Sequence, residues 1–159
     1  MKVYLASPLG FAASTKPYMD ELERALAGTG IEVINPWKSD FGAAFQRANA
    51  IAEYAERVAA LGRVNTEVAR ANEESIRAAA AVLAVLDGVD VDSGTASEMG
   101  FAFALGKRVH GLRTDTRLIG DNEGSVINLQ VQYWIEASGG KLVRTLEEAV
   151  ALFDRKRNE

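Results

Sequence analysis

The run AAVLAVL at residues 80–86 constrains the fold more than any other stretch of this chain. It carries no polar side chain, so both faces of whatever it forms must be covered. Its shortness and its abrupt end at Asp87-Gly88 read as a strand. A strand covered on both sides belongs in the middle of a parallel sheet, because crossover connections lay helices over both faces.

The flanking segments alternate in the way such a sheet requires. KVYLAS (2–7), IEVINP (31–36), RVHGLRTD (108–115) and KLVR (141–144) are β-prone and bounded by turn residues. Between the first two lies a helix with Ser14 or Thr15 as its cap and Pro17 in its first turn. Tyr18, Leu22, Ala25 and Leu26 recur at helical spacing there, and Gly28 and Gly30 end it. Residues 41–79 are alanine-rich and helical, with a break expected near Gly62 and a second helix through Val64, Val68, Asn72 and Ile76. SVINLQVQYWIEA (125–137) reads as a short helix or irregular segment. A last helix starts at Thr145, where TLEE has the capping-box pattern.

The expected fold is therefore α/β: a five-stranded parallel sheet in the flavodoxin-like or Rossmann-like order 2-1-3-4-5, helices on both faces, one domain over residues 1–159. In that order the switch point falls between the first and third strands, and ligands bind there, outside the carboxyl ends. This brings SPLGF (7–11) opposite DGVDVDSGTASE (87–98).

Composition narrows the partner. A net charge of -4 with scattered basic residues argues against nucleic acid, which needs a basic face to neutralise phosphates. The absence of cysteine removes disulfides and thiolate chemistry, and a single histidine, His110, removes a histidine-rich metal site. His110 sits in a strand pattern and reads as structural. Pro8 and Gly10 interrupt the apolar start too early for a signal peptide. No stretch reaches the length of a membrane span. The expected setting is the cytoplasm, and the expected ligand a small molecule.

The second half of the segment after the central strand is apolar, yet Asp87, Asp90 and Asp92 lead into it and Glu98 lies inside it. Two readings of Glu98 stand side by side. TASE (95–98) fits a capping box, in which Glu98 bonds the backbone of Thr95. Alternatively, the first turns of the helix hold an ionised carboxylate at the switch point, favoured by the helix dipole and available as a nucleophile. Asp92 and Asp87 read equally as turn residues, and Asp90 as solvated. Gly94 permits close approach of a ligand. The carboxylates are of a type that binds Mg²⁺, but such sites borrow substrate phosphates and no glycine-rich phosphate loop is visible, so neither metal nor cofactor is expected.

YLASPL (4–9), VLDGVDVDSGTASEMGFAFALGK (85–107), TDTR (114–117) and NLQ (128–130), in this order, together resemble the nucleoside 2-deoxyribosyltransferases. The resemblance implies base exchange on 2′-deoxynucleosides by double displacement through a deoxyribosyl ester of Glu98, the logic of retaining glycosidases. It implies that Tyr4 positions the nucleophile and that Asp92 holds the sugar. Asn128, beside Gln130, would reach the 5′-hydroxyl in a neighbouring subunit of a homo-oligomer, dimer-based and up to a hexamer. Asn72 stands where some members have a base-contacting aspartate, and an amide cannot exchange a proton as that acid would. The end DRKRNE differs from the aromatic terminus of some members, and its RKR reads as a solvated helix end. Phe11, Trp37 and Phe41 are placed to stack on the base, or to serve as core. Two alternatives differ in kind. A nucleotide N-hydrolase of the same superfamily would carry a basic phosphate loop where this chain has SPLGF, and a non-catalytic nucleotide-sensing module would share only the fold.

Overall fold

The computed structural model describes residues 1–154. Five strands, β1 (Lys2–Ala6), β2 (Glu32–Ile34), β3 (Ala81–Val85), β4 (Arg108–Leu112) and β5 (Leu142–Val143), form one sheet in the order β2-β1-β3-β4-β5. All neighbours are parallel. The helices are α1 (Lys16–Ala27), α2 (Gly42–Asn49), α3 (Tyr54–Ala78), α4 (Ser93–Ala104), α5 (Leu129–Ala137) and α6 (Leu146–Ala151), with a single 3₁₀ turn at Pro36–Lys38. None of the described helices is long and apolar enough to cross a membrane. The basic stretch expected to end the chain as a solvated helix terminus, residues 155–157, lies outside the described residues.

β3 is buried along its whole length, as its composition requires. Alternation divides its side chains, and those of β1, between two cores. Val3, Leu5, Ala81, Leu83 and Val85 pack with Met19, Leu22 and Leu26 of α1 and with Ala149 and Phe153. Tyr4, Ala6, Val82 and Ala84 face the other way, onto Ile76 of α3, Met99 and Ala102 of α4, and Val131 and Ile135 of α5. Each large aliphatic side chain sealed in these layers contributes about 1.5–3 kcal/mol. The register Tyr4↔Val82 is thereby fixed, because a slip of one residue would exchange the two faces. The same parity sends the Tyr4 phenol toward α4.

The break expected at Gly62 is not there. α3 runs unbroken from Tyr54 to Ala78, and the chain instead interrupts its helix at residues 50–53. A glycine inside a helix costs only about 1 kcal/mol against alanine. Buried Ala60, Val64 and Ile76 on the same helix outweigh that cost. The start is fixed by Glu53, whose carboxylate accepts hydrogen bonds from the Ala55 and Glu56 amides at 3.0 and 2.6 Å. Residues 125–137 resolve into α5, preceded by loop. His110 is buried with Nδ1 accepting from the Lys141 amide at 3.1 Å, and desolvation lowers its pKa to about 4, so it remains neutral.

Candidate active site

α4 begins after β3 at the switch point, and its first turn decides what Glu98 is free to do. The N-cap is Asp92, not Thr95: the Asp92 Oδ2 accepts from the Thr95 amide at 2.8 Å and from the Thr95 hydroxyl at 3.0 Å. Aspartate is among the strongest N-caps, and once it starts the helix, Thr95 becomes a residue of the first turn. The capping-box reading of Glu98 therefore fails. Its carboxylate sits in the second turn, where Oε1 accepts from the Tyr4 hydroxyl at 2.6 Å and from Asn72 Nδ2 at 3.3 Å.

Three elements thus converge on one oxygen. Tyr4 comes from β1 with no exposed surface, Asn72 from α3 and Glu98 from α4. The environment does not favour the ionised form in the way the dipole argument expects. Burial pushes the Glu98 carboxyl above the ordinary carboxylate range, the Tyr4 hydrogen bond opposes this, and the charge of Asp92 adds to it. The dipole fades beyond the first turn, which is why it does not prevail at Glu98. Burial, and then the Glu98 charge, raise the Tyr4 phenol well above its usual range, so it stays protonated and can only donate.

Glu98 and Asp92 open into a cleft of about 580 Å³, large enough for a small-molecule ligand. Its opposite wall is aromatic. Phe11 and Trp37 meet edge to face with ring centroids 4.5 Å apart, and Phe41 and Phe45 continue the wall. Trp37 is held from two sides, by Asn35, which accepts from its amide, and by the Ser7 carbonyl, which accepts from its indole N–H at 2.7 Å. Gly10 makes room for the ring: a Cβ there would lie 2.0 Å from Trp37 Cδ2. α3 contributes Asn65, Val68 and Asn72 on one face, and Gly94 and Thr95 complete the carboxylate end. Among the described residues the lining contains no lysine or arginine, and no cluster of three or more His, Cys, Asp or Glu fit for a metal ion occurs.

Of the residues singled out in the sequence, Phe11, Trp37, Phe41, Asn72, Asp92, Gly94 and Glu98 line this cleft, with Tyr4 directly behind Glu98. Asn128 and Gln130 do not. Asn128 is the N-cap of α5, accepting from the Gln130 and Val131 amides at 3.0 and 3.3 Å, and Gln130 is exposed. Sequence reasoning missed Ser7, Phe45, Asn65 and Val68. Helical spacing held a signal for three of them, since Phe45 follows Phe41 by four residues and Asn65, Val68 and Asn72 recur at 0, 3 and 7.

It also missed Arg113, which is fully buried and donates to the Leu86 carbonyl, to the Gly88 carbonyl at 3.2 Å and to the Arg117 carbonyl at 2.7 Å. Asp87 answers from the other side, accepting from the Thr114 and Asp115 amides at 2.6 and 2.7 Å. The loop that delivers Asp92 is thereby tied to the TDTR segment after β4. Asp90 caps only its own neighbour, the Val91 amide, and is exposed.

The family profile described as nucleoside 2-deoxyribosyltransferase matches residues 3–130. The chain belongs to the nucleoside 2-deoxyribosyltransferase family. Its members act on the N-glycosidic bond of nucleosides, and the reaction class here is deoxyribosyl transfer or a related N-glycosidase activity. In structure the chain is similar to a 2-deoxyribosyltransferase from Leishmania mexicana, with 25% identity, 96% of this chain and 95% of that one covered, and a TM-score of 0.66. It is similar in fold to a 2-deoxyribosyltransferase from the psychrotolerant bacterium Bacillus psychrosaccharolyticus, at 24% identity, 96% coverage of both chains and a TM-score of 0.64. A CMP N-glycosidase from Clostridium botulinum shares the fold at 18% identity, 97% and 98% coverage and a TM-score of 0.59. No curated protein is significantly similar by sequence. Within this family member, the five-stranded order and the position of the cleft at its switch point are those the alternating sequence pattern predicts.

Proposed function

We propose that this protein, acting as one unit over residues 1–159, exchanges the base of 2′-deoxynucleosides by double displacement. The observation that carries this reading is the Glu98 carboxylate: released from capping by Asp92, held at one oxygen by Tyr4 and facing an aromatic wall across the cleft. In the first step a Glu98 oxygen bonds to C1′ while the C1′–N bond breaks, and the base leaves with the electron pair and takes a proton. In the second step a ring nitrogen of another base attacks C1′, the ester bond returns its electrons to Glu98, and the incoming base gives up a proton. Two inversions give net retention. A neutral Tyr4 stabilises the carboxylate as it is regenerated, and the aromatic wall offers stacking surface to any base.

Asp92 is proposed to hold the sugar, and Phe11, Trp37 and Phe41 the base. Asn128 and Gln130, absent from the chain's own cleft, are proposed to complete the site of a neighbouring copy in a homo-oligomer. Two acidic groups and, among the described residues, no cation at the cleft favour an unphosphorylated nucleoside over a nucleotide.

Incubation with deoxyinosine and adenine should give deoxyadenosine. Deoxyinosine alone should leave a deoxyribosyl adduct on Glu98 detectable by peptide mass spectrometry. Release of free base from a deoxynucleoside 5′-phosphate, with no transfer to adenine, would instead identify a nucleotide N-hydrolase.

A further inference from the structure

Asn72 lines the cleft, and its side-chain amide bonds the Glu98 carboxylate. Nδ2 reaches from α3 to the Oε1 of Glu98 at 3.3 Å, and Tyr4 donates to that same oxygen at 2.6 Å. We infer that Asn72 is a positioning residue that, with Tyr4, immobilises Oε1 of Glu98 and so commits Oε2 to the sugar. The inference rests on Glu98 being the nucleophile.

A carboxylate oxygen has two in-plane lone pairs, a capacity that matches the two donors reaching Oε1. Oε2 accepts no hydrogen bond among the described residues, while Glu98 lines the cleft. One donor alone would leave the carboxylate free to pivot about the Oε1 contact. A second donor from a different element fixes its plane, and reaction at an oxygen depends steeply on such orientation. The residue type matters as well. An amide keeps donating at every pH, whereas a carboxylate at this position would compete with Glu98 for a proton, as paired acids do. Asparagine thus favours an ionised Glu98 against the burial that opposes it, at the cost of proton supply to the departing base, which then falls to solvent.

The experiment follows the Glu98 side-chain carboxyl by ¹³C NMR titration in the full chain, alongside base-exchange kinetics. In Asn72→Ala the Glu98 midpoint should rise by about half a pH unit, and in Asn72→Asp by about one unit or more, because a like charge replaces a donor. Asn65→Ala, on the same helix face but without a bond to Glu98, should leave the midpoint where it is. In Asn72→Ala kcat should fall about tenfold with KM little changed, and the acid limb of the pH–rate profile should move with the NMR midpoint. An unmoved Glu98 midpoint in both Asn72 variants, or a rise in KM alone, would overturn the assignment and return Asn72 to the base. If the parent protein exchanges no bases, the double-displacement reading fails by itself. The titration still decides whether Asn72 acts on Glu98.

Discussion

Thr95–Glu98 and Thr145–Glu148 both read Thr-x-x-Glu at the start of a helix, yet only the second closes a capping box. At α6 the Thr145 hydroxyl accepts from the Glu148 amide at 3.2 Å, and Glu148 reaches back to the Arg144 and Thr145 amides at 2.7 and 3.3 Å. At α4 the helix has already begun three residues earlier at Asp92, so Glu98 has no orphan amide to serve. Glu148 is spent on a local terminus. Glu98 is left over by its own helix and is claimed by β1 and α3. A motif for local stability becomes a candidate nucleophile when an earlier residue takes the cap.

The sharpest way to break this contrast is to truncate both glutamates. Glu98→Ala should lower base exchange by at least about 10³-fold, as loss of a nucleophile does, with little change in melting temperature. Glu148→Ala should keep near-parental exchange and lose about 1 kcal/mol of stability. Exchange rates and thermal melts on the two variants check it, and near-parental activity in Glu98→Ala would erase the distinction. A smaller effect separates the cap made by Asp92 from its proposed contact with the sugar. Asp92→Ser preserves an N-cap, so the melting temperature should stay within a few degrees, while removal of the carboxylate should cut kcat/KM by roughly 10–100-fold. Equal losses in stability and activity would mean that Asp92 acts only as a cap.

The smallest effect concerns pH. A carboxyl whose folded pKa is raised binds its proton more readily when folded, so its ionisation lowers stability as pH climbs from the ordinary carboxylate range to the raised value. Above that window the cost is fully present, and below it the cost vanishes. Glu98→Gln should therefore melt at or above the parent temperature at neutral pH, with the advantage disappearing in acid. Melting curves across the pH range test this, and a Gln variant less stable at neutral pH would show that the ionised carboxylate stabilises the fold.

Much of the architecture was legible because its signals are local. The run at 80–86 had to be a doubly covered strand, the alternating segments had to supply crossovers, and TLEE marked a helix start, all from spacing and side-chain chemistry alone. The grouping of Glu98, Asp92 and Gly94 was visible for the same reason, since they lie within one helix and its cap. Gly62 misled because propensity weighs about 1 kcal/mol, while the burial of Ala60, Val64 and Ile76 outweighs it.

The pairing of Tyr4, Asn72 and Glu98 is of another kind. Resemblance supplied the role of Tyr4, but contacts 94 and 26 residues apart in the chain depend on the β1–β3 register and on where α3 crosses α4. Arg113 was invisible because its partners are backbone carbonyls, which every sequence has. The sequence alone determined the strand segments and their alternation with helices, and which residues near the switch point carry reactive groups. Only the tertiary structure decided which oxygen of Glu98 is held and which is free, because hydrogen bonds between distant elements are set by packing, and packing has no local spelling.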